Sequence, residues 1–199
     1  MATKTDIADL ALGLLGEFQI NSLTEGTKQA RLCNRFIDQC ILEELRSHNW
    51  KSVTKRATLA QLTDTPAFEY DNYYQLPVDF LKIVRVNDGI EYDRYAIEGD
   101  RLLSSDDNIN LIYIANPLAD PNQGGVGKLD PLCIEAIYYR LAIKIAIPLT
   151  DDTRLRDELR GYYLREVVPN ARYMDSIEND ERIPDDSGWI NARQASTNG

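Results

Sequence analysis

Apolar residues recur at helical spacing in the first fifty positions. Ile7, Leu10, Ala11 and Leu14 mark one helix face, which predicts a helix over 5–15, opened by Thr5-Asp6 as a cap and closed at Gly16. Phe18 to Leu23 reads as a short extended connector. A second helix is expected to start between Thr24 and Thr27 and to run to about Ser47. Its stripe of Cys33, Phe36, Ile37, Cys40, Ile41 and Leu45 is broken only by Glu44, and Lys28, Arg31, Arg35, Asp38 and Glu43 occupy the opposite face.

After Trp50 the period shortens. Aromatic-rich Ala67 to Leu76 is followed by Pro77, which has no N–H to give to a sheet. Leu81 to Val86 is a strand, Asn87-Asp88-Gly89 a turn, and Glu91 to Ile97, Leu102-Leu103 and Ile109 to Ala115 are further strands. No helix-length crossover separates them, so the expected arrangement is an antiparallel meander or small sandwich.

Helical spacing returns after a Pro-, Gly- and Asn-rich loop over 116–128. Asp130 caps a third helix with Pro131 at its first position. Leu132, Ile137, Leu141 and Ile145 belong to a segment apolar nearly all round, which needs burial in a core or between subunits. Pro148 is expected to end it. Asp151-Asp152-Thr153 caps a fourth helix that Pro169 kinks or ends, with Ala171 to Met174 able to resume it. From Asp175 the chain is acidic and broken by Pro184 and Gly188, yet it carries Ile183, Trp189, Ile190 and Arg193. Such a stretch suits a disordered tail with incidental hydrophobes or an arm that docks on a partner, and the embedded aromatic anchor favours the arm.

The pattern is that of an α+β chain: a bundle of about four helices, an inserted antiparallel β-rich subdomain, and an extended C-terminal arm. The expected boundaries are 1–50 with 128–174 for the helical body, 51–127 for the insertion and 175–199 for the arm.

Charge narrows the functions. The 199 residues carry 22 Lys and Arg against 32 Asp and Glu, a net −10, which argues against a protein whose work is to grip phosphates, since that needs clustered Lys and Arg. The longest apolar-rich run, Leu132 to Ile147, is short for a bilayer and contains Glu135, Arg140 and Lys144, so no membrane span is expected. Nor does the N-terminus, with Asp6 and Asp9 among its apolar residues, resemble a signal peptide. Cys33 and Cys40 lie too far apart on one helix to be bridged, and all three cysteines read as buried thiols.

Motifs of catalysis are weak. Gly124-Gly125-Val126-Gly127-Lys128 is followed by Leu129 where a phosphate-binding loop needs Ser or Thr, so it reads as a flexible loop without a nucleotide cofactor. The sole histidine, His48, beside Asn49 and Trp50, suggests a helix end, and no cluster suits zinc. Phe68, Tyr70, Tyr73 and Tyr74 sit among Glu69, Asp71 and Asp79, which fits strand packing or a subunit contact better than base stacking. No catalytic residue is singled out.

The order of elements resembles the head–tail adaptors of short-tailed bacteriophages, the tail tubular protein A and gatekeeper-type connectors. The likeness runs from Leu12-Gly-Leu-Leu-Gly-Glu17 and Ile20-Asn-Ser-Leu23 through Leu45-Arg-Ser-His-Asn-Trp50 and Lys55-Arg-Ala-Thr-Leu-Ala60. It continues in Tyr74-Gln-Leu-Pro-Val-Asp-Phe-Leu-Lys-Ile-Val84, Tyr95-Ala-Ile-Glu-Gly-Asp100, Ile112-Tyr-Ile114 and the helix after Asp130-Pro131, covering about residues 5–165. The resemblance implies a non-enzymatic virion protein made in the host cytoplasm and assembled as a homo-oligomeric ring, usually a dodecamer. Its implied partners are the portal protein, reached by the C-terminal arm, and a tail nozzle like tail tubular protein B. Double-stranded DNA would pass through the channel without specific binding. The alternative from another class is a small cell-wall glycan hydrolase using an unassigned carboxylate pair.

Overall fold

A computed structural model describes residues 2–87, 95–119 and 125–177 of the chain. The expected α+β class holds, as helices around an apolar core with two antiparallel three-stranded sheets inserted between the second and third.

Helix α1 spans Lys4–Leu14. Its cap is Thr3, not Thr5: the Thr3 hydroxyl accepts from the Asp6 N–H at 3.2 Å and the Asp6 carboxylate accepts from the Thr3 N–H at 2.8 Å. This reciprocal box satisfies two orphan donors at once, which a Thr5 cap cannot do here. Thr27 caps α2, Lys28–Ser47, within the expected start range. Helix α3 covers Pro131–Thr150, with the Asp130 carboxylate accepting from the N–H groups of Leu132 and Cys133.

Two prolines do less than the sequence pattern suggests. Pro148 lies inside α3, which continues to Thr150 and stops at Asp151 in the left-handed conformation, φ 55°. So near the end of a helix a proline removes only one backbone hydrogen bond. Helix α4, Thr153–Tyr162, passes through a π turn at Tyr163–Val167 into α5, Val168–Ile177. The Val168 N–H reaches back to the Tyr163 carbonyl, and the widened turn lets the helix run through Pro169 without kinking apart.

The strands are β1 Thr54–Leu59, β2 Asn72–Gln75, β3 Phe80–Val86, β4 Tyr95–Glu98, β5 Arg101–Ser104 and β6 Ile109–Ala115. They do not form a meander, because the sheet orders are β1-β6-β3 and β2-β5-β4. The sandwich alternative holds: Leu59, Tyr74, Leu102, Ile109, Leu111 and Tyr113 of the two sheets share one apolar cluster. The aromatic-rich stretch contributes only the short β2, since Glu69 takes φ 69° in a turn and Phe68 is 75% exposed. Asp88, Gly89 and Glu91 to Arg94 of the expected turn and strand lie outside the described residues.

The sheet β1-β6-β3 is fastened to the bundle. Val53, Ile114, Val126 and Leu129 join the core formed by α1, α2 and α3, so the expected boundaries at 50 and 128 fall inside a shared apolar interface. Helix α3 sits centrally: Ile137, Leu141 and Ile145 have no exposed surface, and Leu132 packs half-buried at the edge. Helices α1, α2 and α4 of the same chain surround it. Of the two expected settings, a core or a subunit interface, the chain's own core buries Ile137, Leu141 and Ile145.

Candidate functional site

The lone acid in the apolar stripe of α2 is the centre of a buried polar junction. Glu44 is fully buried, because it lies on the face that α2 turns toward α3 and the π turn. Arg140 of α3 donates to its Oε2 from Nε at 2.9 Å and approaches it with Nη2 at 2.8 Å. Tyr163 donates its hydroxyl proton to the same oxygen at 2.6 Å while accepting from Arg140 Nη2 at 2.6 Å. Ser47 Oγ lies 3.1 Å from Glu44 Oε1. Glu43, one residue earlier, faces outward and accepts from Lys144 Nζ at 2.8 Å and from Arg140 Nη1 at 3.3 Å.

The junction shifts the titration of Tyr163, Arg140 and Glu43. Burial pushes the Tyr163 hydroxyl well above the ordinary phenol, and its bond to Glu44 adds to this. Burial works against the charged form of Arg140, but the Glu44 charge and the Tyr163 contact outweigh it and leave the guanidinium more basic than usual. Burial likewise opposes the Glu43 charge, and Lys144 with Arg140 overrides it, so its carboxyl falls below the usual range. The π turn supplies the geometry, swinging Tyr163 inward against Glu44. Satisfied donors and acceptors of this kind lock the crossing of three helices.

A second junction sits at the end of α2. His48 Nε2 lies 2.9 Å from Asp175 Oδ2, and the Lys51 N–H donates to Asp175 Oδ1 at 3.0 Å. Lys51 Nζ also donates to the Asp175 carbonyl. Trp50, fully buried, donates its indole N–H to the Glu44 carbonyl at 3.0 Å and meets the His48 ring edge-on. His48 is thus at a helix end as expected, but its partner is a carboxylate 127 residues away. The expected arm boundary shifts accordingly. Asp175, Ser176 and Ile177 belong to α5, and Asp175 is buried with both carboxylate oxygens engaged, one by the Lys51 N–H and the other by His48 Nε2.

In the β module a cavity of about 210 Å³ lies between β1, the end of β6 and the 3₁₀ turn Gly125–Lys128. Asp79 is the carboxylate that lines it, and it accepts from Lys55 Nζ at 2.6 Å and from the Tyr113 hydroxyl at 2.9 Å. Both its oxygens are engaged. The glycine loop contributes a surface turn anchored by buried Val126, and Gly124 lies outside the described residues.

Apolar side chains remain open on both modules. Phe68, Val78 and Ile97 are exposed on the β side, and Tyr162, Leu164, Tyr173, Met174 and Ile177 on α4, the π turn and α5. Ile177 lies three residues after Met174 and four after Tyr173, so each of them neighbours it on the surface of α5. The expected partner-binding residues Ile183, Trp189, Ile190 and Arg193 lie outside the described residues. The three cysteines are free and buried, as expected. Among the described residues no group of His, Cys, Asp and Glu is placed to hold a metal ion, and no helix is long and apolar enough to cross a membrane.

Compared with known proteins, the chain matches no protein-family model and no curated protein.

Proposed function

We propose that this chain is a structural connector, a head–tail adaptor whose copies close into a ring beneath a portal and carry the tail nozzle below. The observation that carries the reading is the apolar surface left open on two different modules of a chain whose core is otherwise filled. A closed ring joins unlike surfaces head to tail, so each subunit must expose two of them. The resemblance of residues 5–165 to short-tailed phage adaptors supplies the identity of the partners. In this reading Ile183, Trp189, Ile190 and Arg193 reach the portal, and the net −10 charge keeps passing DNA from adhering.

Electron microscopy and native mass spectrometry of the full chain, alone and with its portal, test the reading. The expected result is a ring bound to the portal, lost when 178–199 is deleted while the melting midpoint stays. A chain that remains monomeric beside the portal overturns it. Clearing of cell-wall glycan in a gel, abolished by one Asp or Glu substitution, would transfer the reading to the hydrolase.

A further inference from the structure

The bundle-facing side of the sheet β1-β6-β3 continues beyond the helices as an open surface. Across it the strands align residues in rows. Thr54, Ile114 and Lys82 form the row nearest the helices, then Arg56, Ile112 and Arg85, and last Thr58 and Asn110 beside Asn87. Ile114 is fully covered by the bundle, whereas Arg56, Arg85, Thr58 and Asn110 are exposed. The outer rows line a shallow groove of about 390 Å³. Its two arginines flank Ile112, and among the described residues neither has an ion-pair or hydrogen-bond partner. Asn87, which also lines the groove, donates from Nδ2 to Asp106 at 3.0 Å.

The basic surface extends toward the end of α5. Lys82 Nζ donates to the Arg46 carbonyl at 3.3 Å, and Arg46 Nη1 donates to the Leu81 carbonyl at 2.8 Å. Arg172 Nη2 donates to Ser47 Oγ at 3.1 Å, beside Arg46. Burial first, and then the charges of Arg46 and Arg172, push the Lys82 ammonium below its ordinary range, as expected where cations face one another. A chain with ten more acids than bases has thus gathered Arg172, Arg46, Lys82, Arg85 and Arg56 along one path. Cations gathered on an exposed face attract an anion at little expense to the fold.

We infer that this groove is the docking site of the chain's own acidic segment, Glu178 to Asp186. That segment follows directly on Ile177 of α5, six residues after Arg172 in the chain. It carries Glu178, Asp180, Glu181, Asp185 and Asp186 against Arg182 alone. Nine residues span up to about 30 Å when extended. Tethering raises the local concentration of these carboxylates far above that of any free polyanion. An external strand of nucleic acid must also approach against the net −10. The inference stands on the groove and does not rest on the connector reading.

The test uses the full chain with Ser187→Cys, whose thiol is the target for a nitroxide label while Cys33, Cys40 and Cys133 stay buried. At about 0.05 M salt the label is expected to abolish the amide signals of Arg56, Arg85, Asn110 and Ile112, and at about 1 M salt, where screening is nearly complete, to restore them. Arg56→Glu with Arg85→Glu should also restore them with the melting midpoint unchanged. Unbroadened signals at low salt, or broadening that survives the double substitution, overturn the proposal. So does broadening between a labelled chain and a separate isotope-enriched one, which assigns the groove to a second copy. Duplex DNA that binds through Arg56 and Arg85 while the label stays remote overturns it in favour of nucleic acid.

Discussion

The junction of the three helices and the open face of β1-β6-β3 treat charge in opposite ways. At the junction, Glu44 is wholly buried and Arg140 spends its donors on Glu44, Glu43 and Tyr163. On the sheet, Arg56 and Arg85 stand exposed on either side of Ile112. Buried charge survives only when it is matched on all sides, so the first arrangement fixes how helices cross. Unmatched surface charge leaves the fold almost unaffected and remains available to something else. The contrast shows that the net charge of a chain says little about any one of its faces.

The sharpest consequence is at Glu44. Glu44→Leu strands Arg140 and Tyr163 in the interior and is expected to cost about 3–5 kcal/mol by urea unfolding. Adding Arg140→Leu and Tyr163→Phe should recover most of that loss. A single variant within about 1 kcal/mol of the parent would remove the junction's structural role.

Alkaline pH separates the modules next. Burial pushes the Cys33 thiol up to about 12 and Cys40 to about 11, from an ordinary 9.0. The folded values are raised, so the contribution is complete below pH 9 and is lost as pH rises toward 11. Each thiol should cost about 1 kcal/mol between pH 9 and 10. All three cysteines lie in the bundle, so thiol-reagent kinetics at pH 8 read its opening separately from that of the sheets. Immediate labelling of the native chain would contradict this.

Asp175→Asn weakens the second junction. Its loss of charge opposite His48 is expected to cost about 1–2 kcal/mol, read as a lower melting midpoint. At the other extreme, Arg56→Ala and Arg85→Ala should each stay within about 0.5 kcal/mol of the parent. A larger loss at either arginine would mean that the sheet depends on it for folding.

Much of this arrangement is legible in the sequence where the signal is local. Asp130-Pro131 marks the start of α3 and Ile109 to Ala115 marks β6 to the residue, because a cap and a compact apolar run are short-range features. Glu44 is visible as the break in an apolar stripe, yet its partner Arg140 is 96 residues away and could be any cation on any helix. Asp175 is hidden by the acidic composition that follows it, and only the fold shows that its carboxylate turns inward. The π turn leaves no mark, since it arises from how the helix accommodates Pro169 and Tyr163 together. Arg56 and Arg85 become neighbours only through β6 between them.

That central place of β6 sets an order of events during synthesis. Strands β1 and β3 both pair with β6 and not with each other, so neither has its hydrogen-bonding partner until residues 109–115 have emerged from the ribosome. For the fifty residues before that, β1 is an unpaired edge with Ala57 and Leu59 open to misassociation. The lysine and two arginine-bearing positions on β1 and β3, Lys55, Arg56 and Arg85, then serve the nascent chain as guards, their mutual repulsion discouraging edge-to-edge pairing of neighbouring copies before the last strand arrives.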